Sequence, residues 1–163
     1  MTHTISTPGL TRRRGVAVRA VGAALALVLL AGCSALAGDV TRDVHTSVLA
    51  ADPNIVDTRI SVGQDLTGPG VRLRIYLTDT TDAAVVSSLE AALEAAHLGA
   101  PTPLTGIFLD ASAAPRPRSS STGGGSLSLR SLKDSLDLPG SISDDVIHVG
   151  RDDLVEFYGP RSS

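Results

Sequence analysis

The chain has 163 residues, with 14 basic side chains against 17 acidic ones, which gives a formal net charge of −3 when histidine is neutral. Tyrosine, phenylalanine and tryptophan together make up 2% of it, and it has one cysteine. One cysteine excludes an internal disulfide framework. The low content of basic and aromatic residues argues against a nucleic-acid-binding protein.

The first 32 residues predict an export signal. Four arginines, of which Arg19 is the last, precede an apolar run over residues 20–32, and no acidic residue occurs before Asp39. A helix needs about 20 apolar residues to cross a membrane, so this run is too short. A basic start, a short apolar centre and small residues at the end are typical of a secretory signal peptide. The three consecutive arginines leave open whether export follows the general or the twin-arginine route.

The apolar run ends in Leu30-Ala31-Gly32-Cys33, which resembles the lipobox of bacterial lipoproteins. This resemblance implies cleavage before Cys33, a diacylglyceryl group on its sulfur and often a further acyl chain, such as palmitate, on the new amine. It also implies a lipid anchor on the extracytoplasmic face of the cell membrane. A thioether there would also remove a lone thiol that is liable to pair between molecules. Two acyl chains anchor a protein firmly, whereas one holds it only marginally. The alternative is an ordinary signal peptide with an incidental cysteine.

Cleavage at this position leaves residues 33–163, with ten basic side chains against 17 acidic ones and a net charge of −7. A chain of this length suits one domain. We expect a short tether over residues 33–38 and a single domain over residues 39–160. The acidic balance again argues against binding to nucleic acid.

Hydrophobic spacing predicts the first helix and a hairpin. Three valines recur at every fourth residue between Asp39, a plausible N-cap, and Pro53, which disfavours continuation of the helix. Residues 54–62 and 71–78 then alternate with a period of two, which predicts two antiparallel strands joined by a long loop. The inward-facing residues of these strands are predicted to be Val56, Thr58, Ile60 and Val62, and Val71, Leu73, Ile75 and Leu77.

The next segment predicts a second helix and a third strand. Apolar residues return to helical spacing from Val85 to Ala96, and Gly99 followed by Pro101 marks the end of that helix. Residues 103–111 predict the third strand.

The remaining sequence is less regular. Residues 114–126 are rich in serine, glycine and proline and predict a flexible loop. Residues 127–136 fit a strand or a helix, and we favour a short strand that turns into a short helix. Residues 145–150 favour another short strand, and residues 151–158 a terminal helix.

These elements predict an α+β fold in one small domain: helix, strand, strand, helix, strand, then an irregular C-terminal part. We expect an antiparallel-rich sheet with helices on one face. The order over residues 39–111 resembles the small helix–strand–strand–helix–strand modules of envelope proteins, including BON-like and ring-building domains. As a whole, the chain resembles short actinobacterial lipoproteins, a group that implies no particular activity.

The sequence nominates no catalytic residue, metal ligand or cofactor. His45, His97 and His148 each lack a second histidine or cysteine at ligand spacing, and His97 is interpreted as a partner for the negative end of its helix. The serines lie in tails and linkers without a nucleophile-elbow motif. The acids among residues 144–153 are interpreted as helix caps and solvated side chains. An enzymatic role therefore remains uncertain, and the sequence leans against it.

One feature suggests a binding role. Arg72, Arg74 and Tyr76 fall on the outward face of the second strand, with Arg59 beside them on the first. They form a candidate interaction patch in an acidic protein, although an ordinary solvated sheet face is the simpler explanation. We therefore expect a membrane-anchored binding or assembly module, with the membrane and an envelope protein as partners. The alternatives are an envelope-acting hydrolase and a structural spacer.

Overall fold

The computed structural model describes residues 37–65, 67–118 and 125–161. The predicted signal peptide, Cys33, residues 33–36 of the predicted tether and residues 119–124 of the predicted loop lie outside this part. The described elements are α1 (37–51), β1 (Ile55–Asp65), β2 (Gly68–Leu77), α2 (Asp82–Gly99), β3 (Gly106–Ala113), a 3-10 helix (Arg130–Ser135), β4 (Ser141–Ser143), β5 (Val146–Gly150) and α3 (Arg151–Tyr158).

The five strands form one mixed sheet in the order β1-β2-β3-β5-β4. β2 and β3 run parallel, whereas β1–β2, β3–β5 and β5–β4 are antiparallel. Apolar side chains from the three helices join alternate strand residues in a single core, so the helices cover one face of the sheet. The predicted α+β fold is confirmed.

Two predicted elements have the expected burial pattern. Val71, Leu73, Ile75 and Leu77 of β2 are fully buried, as the period of two requires. The stripe of α2 from Val85 to Ala96 is buried in the same core. Each fully buried leucine or valine contributes roughly 1.5–3 kcal/mol to stability. Burial of these two apolar faces therefore holds α2 against the sheet.

The first helix begins earlier than predicted. Residues 37 and 38 are already helical, and the Thr41 hydroxyl donates to the Ala37 carbonyl oxygen at 2.9 Å. Asp39 therefore is not the N-cap, and residues 37 and 38 do not belong to the tether. The Asp39 carboxylate accepts instead from Arg42, one turn along the helix, at 3.0 Å, which is a usual pairing on a helix surface.

The first hairpin differs from the prediction at both ends. A register shift between Ile55 and Asp57 turns Val56 outward, where it is 51% exposed, although it was predicted to face inward. Bulges of this kind place two residues opposite one and reverse the local alternation. The strands also continue to Asp65 and from Gly68, so the predicted long loop is two residues. Glycine and proline signal turns in a sequence, yet both are tolerated at the start of a strand.

The C-terminal part contains a second hairpin that was not predicted. The predicted short strand near residue 127 is one isolated bridge, between Ser126 and Ser112, and the helix after it is a 3-10 helix. Asp144 and Asp145, interpreted above as caps or solvated acids, have φ values of 50° and 60° and join β4 to β5. Positive φ at both central residues is what such a two-residue turn requires. The predicted strand over β5 and the terminal helix α3 are confirmed.

α1 and α2 are in close contact where Gly99 faces Ser47. A Cβ atom on Gly99 would lie 2.0 Å from the Ser47 Oγ and 2.5 Å from its Cβ. These distances are far below van der Waals contact. Gly99 was predicted only as a helix end, and the structure gives it a packing role as well.

We expect Gly99→Ala to lower the free energy of unfolding by about 1–3 kcal/mol, because the new methyl group overpacks the helix contact. In a Ser47→Gly background the same change should become neutral or stabilising, because alanine favours a helix by about 1 kcal/mol over glycine. Urea unfolding followed by circular dichroism measures both effects. An equal loss in the two backgrounds would contradict a clash with Ser47.

Candidate functional site

The outer face of the sheet, opposite the helices, carries the candidate site. Strand register places outward side chains of neighbouring strands beside one another in rows. Ser61 pairs with Arg72, Arg72 with Phe108, and Phe108 with His148. In the adjacent row Arg59 pairs with Arg74, and Arg74 with Asp110. The four strands in these rows come from three separate parts of the sequence, because β1 and β2 form one hairpin.

Arg72, Phe108 and His148 form what we call the planar row. The Phe108 and His148 rings stack at 4.4 Å between centroids, with 19° between their planes. The Arg72 guanidinium carbon lies over the Phe108 ring, 5.9 Å from its centroid. Since β3 lies between β2 and β5, Phe108 is held between the other two groups. This arrangement accounts for an aromatic residue that is 39% exposed, and each such contact contributes about 0.5–1 kcal/mol.

Asp110 neutralises one arginine of the predicted patch. Its carboxylate accepts from Arg74 Nε and, at 2.9 Å, from Arg74 Nη2. The Asp110 side chain is 7% exposed and that of Arg74 30%. The hydrogen bond to Asp110 raises the pKa of Arg74 above its ordinary value. A bidentate pair of this kind holds both side chains in place, so Arg74 is committed within the protein.

Arg59 and Arg72 differ from Arg74 in this respect. Both are exposed, and neither forms an ion pair or a side-chain hydrogen bond with any residue in the described part of the chain. They border a cavity of about 310 Å³ together with Ser61, Arg74 and Asp110. These two guanidinium groups therefore remain available to a ligand.

The prediction for Tyr76 is wrong. Tyr76 lies on the outer face but is only 2% exposed. Arg116, in the segment after β3, donates to the Thr58 carbonyl oxygen of β1 at 3.0 Å. It also lies 3.6 Å from the carboxylate of Asp57, which is the strand partner of Tyr76. This segment therefore extends to β1 at the level of Tyr76, and periodicity alone carried no information about such long-range contacts.

A row of glycines borders the planar row, and we call it the glycine row. Gly63 pairs with Gly70, Gly70 with Gly106, and Gly106 with Gly150, one from each of four adjacent strands. Because glycine has no side chain, the outer surface of the sheet is recessed along this row. A cavity of about 610 Å³ opens over it, lined by Ser61, Gly63, Gln64, Thr67, Gly70, Val71, Arg72, Thr105, Gly106, Phe108 and His148.

The imidazole of His148 reaches over the glycine row. A Cβ atom on Gly106 would lie 3.7 Å from His148 Nε2, which places that nitrogen at the cavity wall. The sequence analysis singled out neither Phe108 nor His148 as a binding residue. Their stacking depends on β3 and β5 being neighbours, which no local pattern indicates.

The other two histidines in the part of the chain that the structure describes, His45 and His97, have structural contacts. His45 Nδ1 lies 2.7 Å from the Thr58 hydroxyl, between α1 and β1. His97 is buried, and its Nε2 donates to the Gly159 carbonyl oxygen at 3.1 Å. This bond ties α2 to the end of α3, whereas the sequence suggested only an interaction with the dipole of α2.

Residues 37–65, 67–118 and 125–161 contain neither a candidate metal site nor a candidate membrane span. No three His, Cys, Asp or Glu side chains are grouped there as a metal site would require. No helix in the same ranges has both the length and the apolar character of a membrane span.

Comparisons with protein-family models, with curated proteins and with solved structures found no match to this chain. The resemblances to lipoproteins and to envelope modules therefore stay predictions.

We expect Asp110→Asn to lower the free energy of unfolding by about 1–3 kcal/mol, because the new amide group faces the Arg74 N–H groups. The cost stays below that of a fully buried pair because Arg74 can reach water. Arg42→Gln is the control, since the Arg42–Asp39 pair is 68% and 54% exposed and should matter little. Urea unfolding measures both variants, and equal effects would contradict a structural role for Asp110.

Proposed function

We propose that this chain is a bacterial lipoprotein, held at the extracytoplasmic face of the cell membrane by acyl chains on Cys33. The folded domain acts as a binding module and uses the outer face of the sheet. The basic start, the short apolar run and the Leu30-Ala31-Gly32-Cys33 motif support the anchor.

The observation that carries the binding role is the contrast between the two faces of the sheet. One face is covered by helices and forms the core. The other keeps two unpaired arginines, Arg59 and Arg72, next to a cavity, in a mature chain with a net charge of −7. Positive groups that no internal acid neutralises favour an external partner with negative charge.

The anchor is tested by the intact mass of the native protein from a membrane fraction. We expect a chain that begins at Cys33 and carries a diacylglyceryl group, and Cys33→Ser should prevent both the modification and the cleavage. An unmodified Cys33, or a retained leader, would refute the lipoprotein assignment.

The binding role is tested by cross-linking in intact cells. We expect Arg59→Glu with Arg72→Glu to abolish the cross-linked products, because the change reverses the charge of both unpaired groups. Arg74 is left intact, since its loss would leave the nearly buried Asp110 carboxylate without its ion-pair partner. Arg130→Glu, on the exposed side of the 3-10 helix, is the matched control. Products that survive the double change would show that these two arginines do not hold the partner. No products even from the native chain would favour a structural spacer.

A further inference from the structure

Building on the proposed binding role, we propose that the cavity between the planar row and the glycine row holds an acidic saccharide. By this we mean a sugar that carries one carboxylate or phosphate group. Arg72 and His148 contact the acidic group, and the sugar ring lies over the glycine row.

The cavity wall is suited to an anion. Arg72 and His148 occupy the two sides of the Phe108 ring, so the edge of that ring borders the cavity. Ring edges carry a partial positive charge. Arg72 and His148 line the same cavity and supply guanidinium N–H groups and a ring nitrogen there. An oxyanion at the wall would meet donors and positive edges, and none of the described residues that line this cavity is acidic. The Asp153 carboxylate lies beside Gly150, at the end of the glycine row that does not line the cavity.

The charge of the domain favours a ligand with a single acidic group over an anionic surface. An arginine near an anionic membrane contributes about 1 kcal/mol, so the two unpaired arginines supply little attraction. A mature chain with a net charge of −7 opposes the approach of a membrane or a polyanion. A small ligand engages the cavity without approaching the acidic remainder.

The ligand must also be recognised by side chains. β2, β3 and β5, the central strands under the cavity, are each paired on both sides, so their backbone groups are engaged within the sheet. β1 is an edge strand, and a peptide added to it would extend the sheet beside β1 and not lie over the glycine row. Ser61, Gln64 and Thr105 line the cavity and provide hydroxyl and amide groups, which suit the hydroxyls of a sugar.

The size and floor of the cavity agree with this ligand. A volume of about 610 Å³ falls within the usual range for small-molecule sites. Because the glycine row has no side chains, the ring of a sugar can approach the sheet closely. Any larger residue in that row would occupy the space the sugar needs.

The test is an NMR titration of the ¹⁵N-labelled, lipidated chain in detergent micelles. The probes are glucuronic acid and glucose 6-phosphate, with glucose and inorganic phosphate as matched controls that lack the charge or the ring. We expect both acidic sugars to shift the amides of the glycine row, and each control to bind at least about tenfold more weakly.

Two variants locate the site. Arg72→Gln should weaken the binding of both acidic sugars by about tenfold or more and leave the binding of glucose unchanged. Gly63→Val should abolish binding without loss of stability, since nothing lies within 4 Å of its new Cβ and valine suits a strand. Arg130→Gln should bind as the native chain does.

Several results would overturn the proposal. Inorganic phosphate that binds as tightly as glucose 6-phosphate would mean a plain anion site, and glucose that binds as tightly would remove the role of the charge. Unchanged binding by Gly63→Val would place the ligand elsewhere. If no sugar binds but cross-linking still depends on Arg59 and Arg72, the binding module stands and the saccharide is wrong. If cross-linking is also independent of them, both proposals fall.

Discussion

The pairing of β2 with β3 constrains both faces of this domain. Parallel strands need a long crossover, and here that crossover is α2, which covers one face of the sheet. The same register sets Arg72 beside Phe108, Arg74 beside Asp110, and Gly70 beside Gly106 on the other face. A slip of one residue would exchange the two faces. The core and the candidate site are therefore fixed by one set of backbone hydrogen bonds.

The charged side chains of the outer face have two roles: some stabilise the fold, and others remain available to a partner. Asp110 lies in the middle of the sheet with almost no exposure, where an unpaired carboxylate would be costly. Arg74 satisfies it and in turn loses its capacity to bind a partner. Arg59 and Arg72 are its neighbours in the same two rows, yet neither forms an ion pair with an acid in the described ranges. The sequence pattern treats all three arginines alike, and one buried carboxylate separates their roles.

Most of the secondary structure could be predicted because helices α1 and α2 and strand β2 bury one side only, and their apolar spacing records that burial. The bulge that exposes Val56 and the burial of Tyr76 depend on contacts outside their own strands. The glycine row could not be found either, since Gly63, Gly70, Gly106 and Gly150 become neighbours only when four strands pair. Local patterns thus identified the core, and long-range pairing created the site.

Chain length links the proposed anchor to the proposed ligand. Only residues 34–36 lie between Cys33 and α1, which already includes residue 37. The proposed anchor would therefore leave a short tether and keep the domain in the zone next to the membrane. The net charge of the domain would oppose contact with an anionic lipid surface. Its ligand must reach that zone, which favours a small soluble molecule or the membrane-proximal end of an envelope glycan.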